Sequence, residues 1–314
     1  MTARVVAVDG GQSGIRLLDN RGSLDLELPG VSRLEGDPLT TIAKAVAGAV
    51  EGQSGEPIDT LVFGLSTVPE MPEEARAFAQ AVAAQIPARR IIVTDDAVAH
   101  HAALFGSTPG IALAIGTGVA CTAVGTDQGF YSVSGYGFLL GDDGGAFWLG
   151  REAIRVVLDG RYDNPQTPLA LLIGKEFGDL GSLPALIHSR DRAVNDVAHL
   201  APQILALAHT DPLAQSVVEA ALQCLAQAVS RAQHSAPGLD KPRVHWTSKL
   251  FSADPVWATR LSTALQQAAP GGQVERSDAL PLAGGLWLGE TSDCGAYGPH
   301  LLEFENTEGI VHVA

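Results

Sequence analysis

The sequence predicts a mixed α/β protein built from two related domains. The chain has 314 residues, which is long enough for two domains that each bury a core. Strand-like apolar runs alternate with segments of helical apolar spacing through the first third of the chain. A strand that ends in a glycine turn and is followed at once by another strand occurs twice, at 5–18 and at 110–124. We therefore expect two halves of similar construction, with the boundary at 107–110.

The first domain is predicted to span residues 1–108. Its opening strand ends in Asp9-Gly10-Gly11, and a second strand follows so closely that a hairpin is favoured over a helix. Gly106 closes the last predicted helix, as glycine commonly does at a helix C-terminus. The predicted strands are 5–8, 15–18, 24–28, 59–66 and 90–96, and the predicted helices are 38–50, 72–85 and 97–106.

The second domain is predicted to span residues 109–290 and to contain a helical insertion. Residues 145–235 are mostly helical in pattern, and Asp211-Pro212 supplies the N-cap and first residue of the longest helix. The pattern then predicts a strand at 243–248 and helices at 254–268 and 278–290. The tail, residues 291–314, is left unassigned beyond a strand at its end.

The charge of the chain restricts the classes of partner. The formal net charge is −15, whereas nucleic acids and anionic membranes attract a cationic face, so neither is an expected partner. The N-terminus lacks the basic and apolar regions of a signal peptide, and no apolar stretch is long enough to span a bilayer. Cys121, Cys224 and Cys294 include no CxxC pair, so we expect reduced thiols in a cytoplasmic protein.

The two glycine turns are candidate phosphate-binding loops. Glycine allows both the tight turn and the close approach that a phosphate needs in order to meet several backbone N–H groups. Asp9 stands just before the first turn, where a carboxylate can bind Mg²⁺ directly or through water. A single glycine hairpin is most often only a turn, but two of them, each after a buried strand, favour a phosphate ligand.

A pair of carboxylates follows the strand at 90–96. One of Asp95 and Asp96 is expected to cap the next helix, and the other is a candidate base that accepts the proton of a substrate hydroxyl. His100 has no matching set of metal ligands and is expected to be structural or at the surface. A second acidic pair, Asp142-Asp143, lies in a glycine-rich segment before a helix, where ionised carboxylates suit hydrogen bonds to sugar hydroxyls.

These segments together resemble a known family. In order, the chain contains "DGGQSG", "FGLS", "VTDDA", "GTG", "GYGFLLGDDGGAFWLG" and "LPLAGGLWLG". This series is similar to the N-acetylglucosamine kinase branch of the sugar kinase/hsp70/actin superfamily, which also contains BadF/BcrA-type ATPases. The resemblance covers residues 5 to about 290. It implies two ribonuclease H-like (actin-like ATPase) domains facing across a nucleotide cleft, with ATP and Mg²⁺ as cofactors.

The resemblance also implies a function and a set of site residues. It implies an ATP-dependent amino-sugar kinase that phosphorylates the 6-hydroxyl of N-acetylglucosamine or glucosamine, and a homodimer is expected. Asp96 matches the catalytic base, and Asp9 is the expected metal ligand. The implied sugar-binding residues are Arg33, Ser66, Asp95, Gly135, Asp142 and Asp143, and the implied nucleotide-binding residues are Gly10, Gly11, Gln12, Ser13, Gly116, Thr117, Gly118, Thr247 and Ser248.

The chain departs from the family pattern at several of these positions. Thr247-Ser248-Lys249 replaces a glycine-rich adenosine turn, Val119 follows the second phosphate turn in place of serine, and Arg33 stands where the family often has asparagine. Two other functions stay open. One is an ATPase that activates a protein partner, although the chain lacks the cysteine pair that would hold an iron–sulfur cluster. The other is a sugar-sensing protein without turnover, against which Asp9 and Asp96 argue.

Overall fold

The computed structural model describes residues 3–11, 14–31, 37–51, 57–69, 71–160, 166–307 and 310–313. Contacts divide the chain into two compact units. Unit 1 consists of Met1–Thr108 together with Ala279–Ala314, and unit 2 is the segment Pro109–Asp278 between them. Among the described residues, no helix is both long enough and apolar enough to cross a bilayer.

The described elements are strands and helices in mixed order along the chain. The strands are β1 (Val5–Gly10), β2 (Ile15–Asp19), β3 (Asp25–Leu28), β4 (Ile58–Leu65), β5 (Ala88–Asp95), β6 (Gly110–Ile115), β7 (Val119–Val124), β8 (Phe130–Ser132), β9 (Arg243–Thr247), β10 (Gln273–Arg276), β11 (Leu302–Thr307) and β12 (Ile310–Val313). The helices are α1 (Pro38–Glu51), α2 (Pro72–Ala83), α3 (Asp96–Phe105), α4 (Ala146–Gly160), α5 (Pro168–Phe177), α6 (Leu183–His188), α7 (Ala193–Ala198), α8 (Ala201–Leu207), α9 (Pro212–Ser235), α10 (Lys249–Ser252), α11 (Pro255–Ala268) and α12 (Pro281–Glu290), and Gly295–His300 is a 3₁₀ helix.

The sheet of unit 1 has the order β12-β11-β5-β4-β1-β2-β3. β1 pairs antiparallel with β2 and parallel with β4, and β4 pairs parallel with β5. β1 and β4 are apolar along nearly their whole length because both faces of the sheet are covered. The core on one face joins Val6, Val8 and Phe63 to α1 and α2.

The sheet of unit 2 repeats this arrangement in the order β10-β9-β6-β7-β8. β6 pairs antiparallel with β7 and parallel with β9, as β1 does with β2 and β4. The helical insertion, α4 to α9, occupies the place in the chain that α1 occupies in unit 1. Asp211 caps α9 by accepting hydrogen bonds from the amides of Leu213 and Ala214, as the Asp-Pro sequence predicts. The predicted mixed α/β fold with two related halves is therefore confirmed.

The C-terminal part of the chain differs from the sequence-based division. That division put residues 279–290 in the second domain and left 291–314 unassigned. In the structure α12 packs on α3 and β1 of unit 1, and β11 adds to the same sheet by pairing with β5. A Cβ atom at Gly284 would overlap the carbonyl oxygen of Ala99, and one at Gly289 would overlap Val5. The glycines of "AGGLWLG" therefore allow close packing of α12, a role that composition alone does not reveal.

Candidate active site

The carboxyl ends of three strands bring the candidate catalytic residues of unit 1 together. Asp9 on β1 is in register with Gly64 on β4, and Leu65 on β4 is in register with Asp95 on β5. Because these strands run parallel, their carboxyl ends lie at one edge of the sheet. Ser66, which follows β4 directly, donates its amide hydrogen to the carbonyl of Gly10 over 3.1 Å at the same edge.

Asp95 and Asp96 have different tasks at the start of α3. Asp95 is the N-cap, and its carboxylate accepts a hydrogen bond of 2.8 Å from the amide of Ala97. Asp96 is the first helical residue. Burial raises the pKa of Asp96 to about 7, and the neighbouring charges of Asp95 and Asp9 contribute to this rise. A carboxylate with a pKa near neutrality is suited to accept a proton in a reaction at physiological pH.

Asp9 is a candidate ligand for a metal ion. Burial raises its pKa, and the Arg16 guanidinium, whose Nη1 lies 3.7 Å from Asp9 Oδ2, opposes that rise. Within the described residues no cluster of three acidic, histidine or cysteine side chains is arranged to hold a metal. One carboxylate combined with phosphate oxygens and water is nevertheless a common way to bind Mg²⁺, and Asp9 fits that requirement.

The first glycine turn closes tightly beside Ser66. The amide of Gly11 donates to the carbonyl of Gly14 over 3.0 Å. A Cβ atom at Gly11 would lie 2.8 Å from Ser66 Oγ, so this position requires glycine for the side chain of Ser66 to stay where it is. Gln12, Ser13 and Arg33, three of the residues predicted at the site, lie outside the described residues.

The second glycine turn is built against the start of α4. The amide of Gly116 donates to the carbonyl of Gly118, while the carbonyls of Gly116 and Thr117 accept from the first two amides of α4 at 2.9 and 3.0 Å. Within the described part of the chain, the amides of Thr117 and Gly118 donate no hydrogen bond. Unused amides of consecutive residues in a turn are the donors that a phosphate group needs.

Asp142 lies against this second turn. Its Oδ1 accepts a hydrogen bond of 3.2 Å from the amide of Val119, and a Cβ atom at Gly118 would overlap its carboxylate. Asp142 has a φ of +62°, a left-handed conformation that is rare outside glycine. Burial raises its pKa, and the nearby Asp143 adds to the effect. Asp143 itself is exposed, and Gly135 of the same loop has a φ of +99°.

The residues predicted at the adenosine turn lie next to the second glycine turn. Thr247 on β9 is in register with Ala114 on β6, the strand that leads into Gly116. Ser248 is buried, and its hydroxyl accepts a hydrogen bond of 3.2 Å from the amide of Phe251 as the N-cap of α10. That hydroxyl therefore already has a structural partner, whereas the following Lys249 is exposed.

The edge of the unit 1 sheet where Asp9, Asp95 and Asp96 lie is called the acidic edge. Sequence reasoning missed the contribution of the tail to this edge. The hydroxyl of Thr94 donates to the carbonyl of His300 over 3.0 Å, which brings His300 beside Asp95. Burial lowers the pKa of His300, and the charge of Asp95 opposes this. About two hundred residues separate these positions, and nothing in the local pattern of the tail indicates the contact.

Both histidines of α3 are buried. His101 Nδ1 lies 2.7 Å from the hydroxyl of Tyr297, which donates to the carbonyl of Gly106 over 2.6 Å. Burial lowers the pKa of His100 to about 4, so this ring is neutral at physiological pH. The contacts of His101 join the tail to α3, and His100 is a buried neutral ring on the same helix.

Known structures share the fold of the whole chain. No family model matches the sequence. A proposed N-acetylglucosamine kinase from Chromobacterium violaceum is 22% identical, with a TM-score of 0.67 over 91% of this chain and 99% of that one. A second proposed N-acetylglucosamine kinase, from Porphyromonas gingivalis, is 18% identical, with a TM-score of 0.62 over 89% and 96% of the two chains. Glucokinase from Balamuthia mandrillaris, solved with glucose, is 11% identical, with a TM-score of 0.52 over 92% and 94%.

The chain shares their fold. The repeated strand order of the two sheets and this likeness together confirm the predicted pair of ribonuclease H-like domains. At these identities the likeness concerns the fold, and the site residues are argued from their own geometry.

Proposed function

We propose that the protein is an ATP-dependent sugar kinase that transfers a phosphoryl group to the 6-hydroxyl of an amino sugar, with N-acetylglucosamine or glucosamine as the first candidates. The observation that carries this proposal is the position of Asp96, next to two other carboxylates, with a pKa raised to about 7. Phosphoryl transfer to an alcohol needs a base for the hydroxyl proton. Beyond this, the protein mainly positions the two substrates and stabilises the charge of the phosphates.

The residues of each unit have separate tasks in this reaction. Asp96 would accept the hydroxyl proton at its carboxylate as the sugar oxygen bonds to the γ-phosphorus of ATP, while the bond from that phosphorus to the bridging oxygen breaks and ADP leaves. Asp9 is suited to bind the metal ion. The amides of Thr117 and Gly118, which donate no hydrogen bond to any described residue, are suited to bind phosphate oxygens. ATP supplies the phosphoryl group when bound, and Mg²⁺ neutralises phosphate charge. The proposed sugar-binding residues within the described part of the chain are Ser66, Asp95, Gly135, Asp142 and Asp143.

The proposal of an amino sugar as the acceptor rests on the resemblance of "GYGFLLGDDGGAFWLG" and on the names of the two kinases with the highest TM-scores among those described above. The ATPase alternative and the sugar-sensing alternative share the fold but differ in what the sugar does. In the first, ATP is hydrolysed without any sugar, and in the second, the sugar binds without turnover.

The deciding experiment is an ADP-release assay with ATP and Mg²⁺ against N-acetylglucosamine, glucosamine, glucose, N-acetylmuramic acid and a control without sugar. ADP release that depends on one or more sugars, with a sugar 6-phosphate identified by mass spectrometry, would support the kinase. Release that is equal with and without every sugar would support the ATPase. Sugar binding measured by calorimetry with no ADP release would support the sensing function and exclude the kinase.

A further inference from the structure

A groove of about 570 Å³ lies entirely within unit 2. One wall is a single face of α9, and the opposite wall comes from β8 and the loop that leads to Asp142 and Asp143. This volume is within the range of about 300–1,000 Å³ that small-molecule sites occupy. The residues of its α9 wall are Cys224, Ala228, Arg231, His234 and Ser235.

The two walls have opposite charges that do not neutralise each other. Arg231 and Asp143 are both exposed, and neither forms an ion pair within the described residues. The ring of His234 is fixed through Nδ1, which lies 2.6 Å from the carbonyl of Ser230. Its Nε2 has no partner among the described residues, so it is available to a ligand in the groove.

The charges of Asp143 and Arg231 both act on the thiol of Cys224. Burial raises the pKa of Cys224, the charge of Asp143 raises it further, and the charge of Arg231 opposes the rise. The thiol lines the groove and is half-buried. The guanidinium of Arg231 and the carboxylate of Asp143 therefore both lie near this thiol, and all three groups line the same groove.

We propose that this groove binds an anionic carbohydrate, with a phosphate or carboxylate group held by Arg231 and with hydroxyl groups that donate to His234 Nε2 and to Asp143. Arginine forms paired, charge-assisted hydrogen bonds with phosphate and carboxylate groups, and ionised carboxylates accept hydrogen bonds from hydroxyls. Tyr136, which is 61% exposed on the same groove, offers an aromatic face to a sugar ring. A neutral ligand would leave the guanidinium of Arg231 without a counter-charge.

This proposal rests on the proposed function only because Asp142 and Asp143 are shared with its sugar-binding set. It needs no phosphoryl transfer. The test therefore contains no nucleotide, so that failure of the groove and failure of the kinase are measured separately.

The experiment is protection of Cys224 from a thiol reagent, followed by mass spectrometry of its peptide. Cys294, which is also half-buried and lies in unit 1, is the internal reference, and the fully buried Cys121 is the unreactive control. The probes are N-acetylglucosamine 6-phosphate, N-acetylmuramic acid, neutral N-acetylglucosamine and inorganic phosphate, each at the same concentration and at a pH above 8.

We expect at least one anionic sugar to slow labelling of Cys224 by about tenfold at saturation, with no change at Cys294. Protection by the phosphorylated sugar alone would identify phosphate as the recognised anion, and protection by N-acetylmuramic acid alone would identify carboxylate. Equal protection by neutral N-acetylglucosamine, or protection by inorganic phosphate as strong as that by any sugar, would overturn the proposal. The absence of protection by every probe would overturn it as well.

Variants of the cation test the same assignment. Arg231→Gln should weaken the binding of the protecting ligand by about tenfold or more, because a hydrogen-bonded charge pair is lost. Arg231→Lys should recover part of the lost affinity. Arg276→Gln, which removes an exposed arginine at the end of β10 in the same unit and outside the lining of the groove, is the matched control and should leave the protection unchanged. Unchanged protection in a folded Arg231→Gln protein, judged by its circular dichroism, would exclude Arg231 from the site.

Discussion

The two units have the same strand order and the same strand directions, yet their chemistry is different. Asp9 is the last residue but one of β1, and Ala114 has the corresponding place on β6. β5 ends at Asp95 and is followed at once by Asp96, whereas β10 ends at Arg276. At these strand ends the carboxylates are therefore in unit 1. The glycine turn whose amides donate no hydrogen bond within the described residues is in unit 2. The comparison teaches that a repeated backbone can present different chemical groups at the same strand ends. Under the proposed function, one copy would supply the proton acceptor and the other would supply phosphate-binding amides.

The largest expected effect comes from removing the carboxylate of unit 1 that has no counterpart in unit 2. Asp96→Asn should lower kcat for sugar phosphorylation by between about 100-fold and 10,000-fold, because the amide cannot accept the hydroxyl proton. Asp278→Asn, which removes the exposed carboxylate shortly after β10, is the matched control and should leave kcat unchanged. A full kcat in the Asp96→Asn protein would eliminate Asp96 as the base.

The stability of the Asp96→Asn protein shows whether its loss of activity comes from the missing base or from unfolding. The pKa of Asp96 is raised in the folded state, so its ionisation destabilises the fold increasingly between pH 3.8 and about 7. Asp96→Asn should therefore be at least as stable as the wild type at pH 8, and this advantage should vanish below pH 4. A thermal melt at both pH values measures it.

The second largest effect should come from α12, a helix from the C-terminal part of the chain that packs in unit 1 and has no counterpart of that origin in unit 2. Gly284→Ala places a methyl group into the backbone of α3 at Ala99, so we expect unfolding to become easier by about 3 kcal/mol. Gly174→Ala in α5, where a Cβ would meet nothing within 4 Å, should be neutral or stabilising by up to about 1 kcal/mol. Urea denaturation of both variants gives the difference, and equal stabilities would contradict the described packing of α12.

A smaller effect should follow from removing the carboxylate of Asp142 in unit 2. Asp142→Ala should raise KM for the sugar by about tenfold, since a charged hydrogen-bond partner is lost. Its contact with the amide of Val119 means that KM for ATP should rise too, but by less. An unchanged sugar KM would remove Asp142 from the proposed sugar site, and steady-state kinetics with each substrate varied separately decides the matter.

The smallest expected effect is a shift in the pH profile. Asp95→Asn removes one of the charges that raise the pKa of Asp96, so the rising limb of kcat/KM should move to lower pH. Asparagine is also a good N-cap, which keeps α3 intact. If the rising limb of the kcat/KM profile stays in place or moves to higher pH, the charge of Asp95 does not raise the pKa of Asp96.

The sequence predicts the local elements well and the distant contacts poorly. β1, α3 and α9 are identified by apolar spacing, Asp-Pro and glycine signals, which act within a few residues. The acidic edge is found because Asp9, Asp95 and Asp96 each follow a recognisable strand. β10 is short and mostly exposed, so its apolar signal is weak. The placement of α12 in unit 1 and of His300 beside Asp95 depends on packing between segments far apart in the chain, which periodicity does not encode.

The packing of α12 and β11 has a consequence for how the protein is made. Unit 1 is built from two segments that lie on either side of unit 2 in the chain, so its sheet and its covering helix are incomplete until α12 and β11 have been synthesised. Unit 2 is one continuous segment that precedes α12 and β11, and domains generally fold as units during synthesis. A nascent chain therefore contains all of unit 2, with its candidate phosphate turn, before it contains every segment that unit 1 needs.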